Sequence, residues 1–192
     1  MGIPLNVPNA LSLARIAAAP AMLLASWHGD SAAFLWLAGF CMVSDIVDGK
    51  LARWLGQTSE IGARLDSWAD VAMMAAGPFC AVWLRPDLVR TEALFVALVL
   101  GGYAVAIAAG YAKFGRLTSY HTRAATLAAY FIGAGVILGI GGITTWVFRI
   151  GALLVAGAEL EEVAITWALP EWRANVPSLA LALRIRNGAA GP

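Results

Sequence analysis

The chain has 192 residues, of which 60% are hydrophobic and 13% charged, with a mean hydropathy of +0.75. So much apolar surface exceeds what one soluble core of this length hides, which points to an integral membrane protein and excludes an ordinary soluble domain. The net charge of +1, with most Lys and Arg in a few short stretches between apolar runs and no basic tail, argues against a nucleic-acid binder.

A spanning helix needs about 20 mostly apolar residues. In chain order the candidate segments are Leu11 to Trp27, Ala32 to Leu51, Asp66 to Leu84, Ala93 to Ala112, Ala124 to Ile143 and Trp146 to Leu169. Ahead of the first, Met1-Gly2 lacks a myristoylation signal, since Asn6 stands where Ser or Thr is required. No basic region followed by a cleavable small-residue site is evident either, so the first helix is expected to be retained. Cys41 and Cys80 lie inside apolar runs and read as packed thiols rather than a disulfide or metal box. Small residues at Gly135-x-x-x-Gly139 and from Gly101 to Gly110 suit close helix packing within one bundle, or a dimer seam. Glu159, Glu161 and Glu162 put costly charge inside the sixth segment. They would pair with a base, stay protonated, line a polar cavity or mark a broken or tilted helix near the interface. The expected fold is an all-α membrane protein of six transmembrane helices. Residues 1–170 would form the catalytic domain and 171–192 an interfacial or partly mobile tail.

Orientation follows from the basic residues. With the N-terminus inside, Arg15, Lys50, Arg53, Arg64, Lys113, Arg116, Arg123, Arg173, Arg184 and Arg186 lie at the cytoplasmic end, leaving Arg85, Arg90 and Arg149 opposite. The positive-inside rule favours that choice. Both termini and the acidic block described next then face the cytoplasm.

The costliest residues are four aspartates in two pairs, Asp45/Asp48 and Asp66/Asp70, on segments that otherwise read as membrane helix. Spacings of three and four project each pair from one helix face, with Gly49 and Arg53 continuing the Asp45 stripe. Gly56, Gln57, Thr58, Ser59 and Gly62 supply a turn that would set the two helices side by side and antiparallel, making a four-carboxylate pocket. Four carboxylates at close range in a low dielectric raise one another's pKa, a conflict that divalent cations resolve. An all-oxygen set without His or Cys points to Mg2+, Mn2+ or Ca2+ rather than zinc. Gly49 and Ala52 would leave room for a substrate against the helix, and Arg53 adds a fork for phosphate. The plainer alternative has these aspartates capping helix ends and pairing with Lys50, Arg53 and Arg64. An EF-hand does not fit, because no acidic residue or Asn follows two after Asp45 and the glycine falls one position early. A divalent-cation transporter is the rival from another class, since buried carboxylates bind ions in transit. It would need a path through both faces, whereas this block sits at one end.

The pattern D-x2-D-G-x2-A-R-x8-G-x3-D-x3-D, matched here at every fixed position from Asp45 to Asp70, resembles the signature of the CDP-alcohol phosphatidyltransferase family. Val7-Pro8-Asn9-Ala10-Leu11-Ser12-Leu13-Ala14-Arg15 is similar to the Pro-Asn-x-Leu-Thr-x-x-Arg segment before the first helix of such enzymes, with Ser12 for Thr. The resemblance implies transfer of a phosphatidyl group from CDP-diacylglycerol to an alcohol hydroxyl with release of CMP. It implies that Asp45, Asp48, Asp66 and Asp70 hold two divalent ions, Mg2+ or Mn2+, with Asp70 also the base. Gly49, Ala52 and Arg53 would line the CDP pocket beside Asp45 and Asp48, and the enzyme would be a homodimer.

The acceptor lies outside the shared motif. Lys113, Arg116 and Arg123, with Thr118, Ser119, Tyr120, His121 and Thr122 between them, form a second basic cluster suited to a phosphorylated alcohol such as glycerol 3-phosphate or inositol phosphate. Positive-inside anchoring accounts for the same residues. Phosphatidylglycerophosphate synthases often carry Gly-Arg-Glu at the start of the fourth helix. This chain has Arg90-Thr91-Glu92-Ala93 there, a departure that counts against glycerol 3-phosphate, which nevertheless leads phosphatidylglycerol and serine as the expected acceptor.

Overall fold

The computed structural model describes residues 7–54, 60–116, 118, 120, 122–173 and 176–188; for residues 49, 50, 52, 53, 60 and 63 it describes the backbone alone. Eight helices follow in chain order among these residues: α1 (Val7–Trp27), α2 (Ser31–Trp54), α3 (Glu60–Leu84), α4 (Pro86–Thr91), α5 (Ala93–Phe114), α6 (Arg123–Ile140), α7 (Trp146–Ala168) and α8 (Leu179–Arg186). Each expected segment coincides with a helix, the fifth ending at Ile140 rather than Ile143 and the sixth at Ala168 rather than Leu169. The motif ends of α2 and α3 run beyond the expected limits, and the short α4 was not anticipated.

The helix ends follow local chemistry. Pro8 sits in the first turn of α1, where a missing N–H leaves no bond unmade. The α1–α2 turn closes with Gly29 at φ +74°, a conformation costly for other residues. Asp30 Oδ1 then accepts from the Ala33 N–H at 2.9 Å and caps α2. Gly115, at φ +66°, ends α5 and returns its N–H to the Tyr111 carbonyl. Thr122 Oγ1 accepts from the Ala125 N–H at 3.1 Å to start α6, and Ser178 Oγ accepts from Leu181 to start α8.

The chain divides into two compact units. The first comprises residues 1–91 and 136–143. In it α1 packs against both α2 and α3. Its core is built mainly from small side chains around one phenylalanine: Ala18, Ala19, Met22, Phe34, Ala38, Cys41, Ala76, Cys80 and Ile140. Both cysteines are buried and free, as packed thiols should be.

The second unit comprises residues 92–135 and 144–192. Here α5 packs on α7 and α7 on α8, over a core of Tyr120, Ile165, Ala168, Leu169, Val176 and Ala182. A Cβ on Gly135 would collide with the backbone of Phe148, and one on Gly151 would come within 2.9 Å of the Ile132 nitrogen. These glycines let α6 and α7 touch backbone to backbone, so Gly135 serves packing within the chain.

Among the described residues five helices are long and apolar enough to cross a membrane: α1, residues 31–48 of α2, residues 64–84 of α3, α5 and α6. They carry large apolar side chains outward, including Trp36, Leu24, Val71, Met74, Leu100 and Leu127, a surface that suits lipid. The protein is an integral, multi-pass membrane protein. The sixth expected span, α7, has 23 residues, but Arg149, Glu159, Glu161 and Glu162 interrupt its apolar run. It is unbroken, so of the broken or tilted helix expected at the glutamates the break does not occur. Glu161 Oε1 accepts from the Leu179 N–H at 3.1 Å and ties α8 to α7, while Glu159 is buried against Gly102 of α5.

Candidate active site

The four aspartates of the motif converge, and an arginine is at their centre. On α2, Asp45 and Asp48 share a face; on α3, Asp66 and Asp70 do the same. Arg15 of α1 reaches all four. Its Nη1 donates to Asp45 Oδ1 and, at 3.4 Å, to Asp70 Oδ1; its Nη2 donates to Asp48 Oδ2 at 2.5 Å and to Asp66 Oδ1. The expected pocket between two neighbouring helices is thus built on three. Among the described residues α1 packs against both aspartate-bearing helices, and its guanidinium joins their carboxylates.

Exposure is graded across the cluster. The side chain of Arg15 is 2% exposed and that of Asp48 8%, whereas Asp45 is at 30%, Asp66 at 45% and Asp70 at 63%. The site therefore has a floor, at Arg15 and Asp48, and a rim, at Asp66 and Asp70. Neighbouring turns place small or hydroxylic residues around the floor: Ser12 lies one turn before Arg15, and its hydroxyl donates back to the Pro8 carbonyl at 3.3 Å. Ser44 does likewise on α2, donating to the Cys41 carbonyl.

Carboxylate oxygens of Asp45, Asp48 and Asp66 all lie within 4.8 Å of one another. Ion–oxygen distances of about 2.0–2.6 Å place two ligands of one ion at such separations, so this oxygen-only trio fits a hard divalent cation. The guanidinium is a stand-in: a positive group already touching the oxygens an ion would take. Asp70 stands outside the trio and joins the cluster through Arg15. Gly49, Ala52 and Arg53 lie in the last turns of α2, but their side chains are outside the described residues.

The sequence places Arg15 in the N-terminal pattern and among the cytoplasmic-end basic residues, without pairing it to the aspartates. The available signal was physical: a lone arginine eight residues into an apolar helix needs a counter-charge, and the nearest abundant one is the aspartate block.

The second basic cluster belongs to the other compact unit, and its members are used unequally. The three Lys113 ammonium protons go to carbonyls at the end of α7: Thr166 and Trp167 at 3.0 Å and Leu169 at 2.7 Å. An ammonium has only three donors, so Lys113 is committed to closing that helix. Arg116 lies over the Trp172 ring, 5.3 Å from its centre, and Arg123 is exposed at the start of α6. Tyr120 is buried with its hydroxyl 3.3 Å from Thr166 Oγ1, and burial pushes its phenol up from the usual range. Ser119 and His121 lie outside the described residues.

Comparison with known proteins joins these observations. A Mycobacterium tuberculosis protein provisionally named a cardiolipin synthase is 44% identical over 78 residues, covering 38% of this chain and 36% of its own. A Streptomyces coelicolor protein named cardiolipin synthase (CMP-forming) is 34% identical over 109 residues, half of each chain. The rice protein named CDP-diacylglycerol–glycerol-3-phosphate 3-phosphatidyltransferase 1, chloroplastic, is 34% identical over 104 residues, 51% of this chain and 31% of its own. The chain thus spans half or less of the length of these curated relatives. No solved structure matches it. The family model for CDP-alcohol phosphatidyltransferases matches residues 5–167, a stretch that takes in Arg15, all four aspartates and α1 to α6, and the chain belongs to that family.

Proposed function

We propose that this protein transfers a phosphatidyl group from CDP-diacylglycerol to the hydroxyl of an alcohol, releasing CMP. The observation that carries the reading is the convergence of Asp45, Asp48, Asp66 and Asp70 on one point in a membrane protein of this family. Asp45, Asp48 and Asp66, with Asp70 completing the set, would hold two divalent ions, Mg2+ or Mn2+. Bound there, such ions supply neutralisation of the diphosphate and stabilisation of the charge on departing CMP.

The chain's own groups divide the remaining work. Asp48, at the buried floor, anchors the set, and its burial keeps water from the carboxylate oxygens. Asp70, at the rim, is the carboxylate an incoming hydroxyl meets first, and it takes the hydroxyl proton as the oxygen attacks phosphorus and the bond to CMP breaks. Gly49 and Ala52 leave space for the cytidine diphosphate along α2, and Arg53 offers it a fork of donors.

The acceptor proposed first is glycerol 3-phosphate, as in the name of the rice relative. Within the second basic cluster Lys113 is committed to α7, which leaves Arg116 and Arg123 as the proposed phosphate-binding residues. The cardiolipin synthase names of the bacterial relatives favour a second reading in which phosphatidylglycerol supplies the hydroxyl. We further infer six spans with α7 as the last, residues 1–170 as the catalytic domain, 171–192 as an interfacial tail, both termini and the site in the cytoplasm, and a homodimeric enzyme.

The test is CMP release by purified protein given CDP-diacylglycerol, Mg2+ or Mn2+ and a panel of glycerol 3-phosphate, phosphatidylglycerol, inositol phosphate and serine. One acceptor should support turnover, and Asp70→Asn should lower it by about 10²–10⁴-fold. Full turnover in that variant would overturn the assigned base; metal flux without nucleotide would favour the transporter.

A further inference from the structure

The position of Arg15 carries a consequence for how the site is loaded. Its two terminal nitrogens donate to the carboxylates of Asp45, Asp48 and Asp66, the three residues whose oxygens are close enough to share an ion. A guanidinium and a divalent cation cannot both occupy the centre of that trio. Charge favours the ion: to a cluster of four acidic side chains a divalent cation brings two positive charges where the guanidinium brings one. Hydrogen bonding points the same way. Arg15 Nε is buried without a hydrogen-bond partner among the described residues, so the arginine is incompletely satisfied by them.

We propose that Arg15 is an internal counter-cation that competes with divalent metal for Asp45, Asp48 and Asp66, holding the carboxylates together without metal and withdrawing when metal binds. The proposal rests on the reading of the aspartates as a metal site. It assigns Arg15 a positioning role: the arginine sets metal affinity and keeps the metal-free site folded. Mutual repulsion would otherwise splay the ends of α2 and α3, which Arg15 joins through the helix packed against both.

The experiment uses full-length protein in detergent, with Mn2+ binding followed by electron paramagnetic resonance and unfolding followed with EDTA or with Mn2+. Arg15→Gln should bind Mn2+ about tenfold more tightly than wild type, the size of an ordinary coupling between two ligands. It should unfold at lower temperature in EDTA and recover with Mn2+, so that metal stabilises the variant more than the wild type. Equal or weaker Mn2+ binding by a folded Arg15→Gln protein would overturn the competition and leave the metal site standing. Absence of Mn2+ binding in both proteins would overturn the metal site and the competition with it.

Should Arg15→Gln not fold, Arg15→Lys and the wild type decide. The lysine bridges fewer carboxylates, so Arg15→Lys should bind Mn2+ more tightly than wild type. The arginine side-chain resonance missing from Arg15→Lys should move when Mg2+ is added to wild type, and a resonance that stays in place overturns the proposal.

Discussion

Arg15 and Glu92 illustrate two kinds of buried charge. Arg15 meets partners 30, 33, 51 and 55 residues away, so no local pattern announces the contact, even though the cost of an arginine in an apolar helix is plain from composition. The aspartates were legible because their chemistry is written in spacing: three and four residues apart, each pair shares a face whatever the helix packs against. Glu92, just before α5, is 3% exposed and forms a two-armed bond with Arg149 of α7, at 2.9 Å to Nε and 2.8 Å to Nη2. That bond holds the Glu92 carboxyl below its usual range, against the opposing effect of burial. A lowered carboxylate pKa stabilises the fold above the ordinary value of about 4.3, and the contribution fades as pH falls through the lower native value. Thermal unfolding of wild type and Glu92→Gln from pH 7 to pH 3 should therefore show the variant melting a few degrees lower near neutrality, with the gap narrowing in acid. A gap that widens in acid would reverse the sign assigned to the pair.

Among the elements, α6 and α7 show what glycine contributes. The sequence left Gly135-x-x-x-Gly139 open between packing within the chain and a dimer seam. The structure places Gly135 against the Phe148 backbone and Gly139 near Leu88, both in this chain. A neighbour that is backbone has no rotamer to yield, so a methyl group must push the helices apart. Gly135→Ala should destabilise the protein by about 1–3 kcal/mol through overpacking, despite alanine's better helix propensity. Gly133→Ala, where an added Cβ meets nothing within 4 Å, should be neutral or stabilising by up to about 1 kcal/mol. Unfolding midpoints of the two variants in detergent, compared with wild type, check the contrast. Similar effects at both sites would mean that propensity, not close approach, governs this helix. Lys113 belongs to the same scale: a basic residue at the end of one helix can bind a ligand or close a neighbouring helix, and only its three carbonyl partners separate these roles.

For the whole molecule, topology turns on α7, which carries four charged residues, whereas five other helices among the described residues are long and apolar enough to cross a membrane. Six spans place the α1–α2 turn and the C-terminal segment on opposite faces of the membrane; five would place them on the same face. With the buried Cys41 and Cys80 silent, His28→Cys should react with a membrane-impermeant maleimide in intact cells, while Asn187→Cys should react only after permeabilisation. Labelling of both without permeabilisation would remove α7 from the spans. Composition, apolar run length and the spacing of the aspartates pointed to an all-helical membrane protein with one acidic centre, and the full motif from Asp45 to Asp70 carried the resemblance to its family, because burial in lipid and side-chain direction on a helix are local properties that each segment carries with it. Which cation sits among the carboxylates, which lysine is spent on a helix end and which glycine touches backbone were decided by the tertiary structure alone. Those contacts join residues distant in the chain, and their energy depends on how closely two helices approach, a distance no single segment contains.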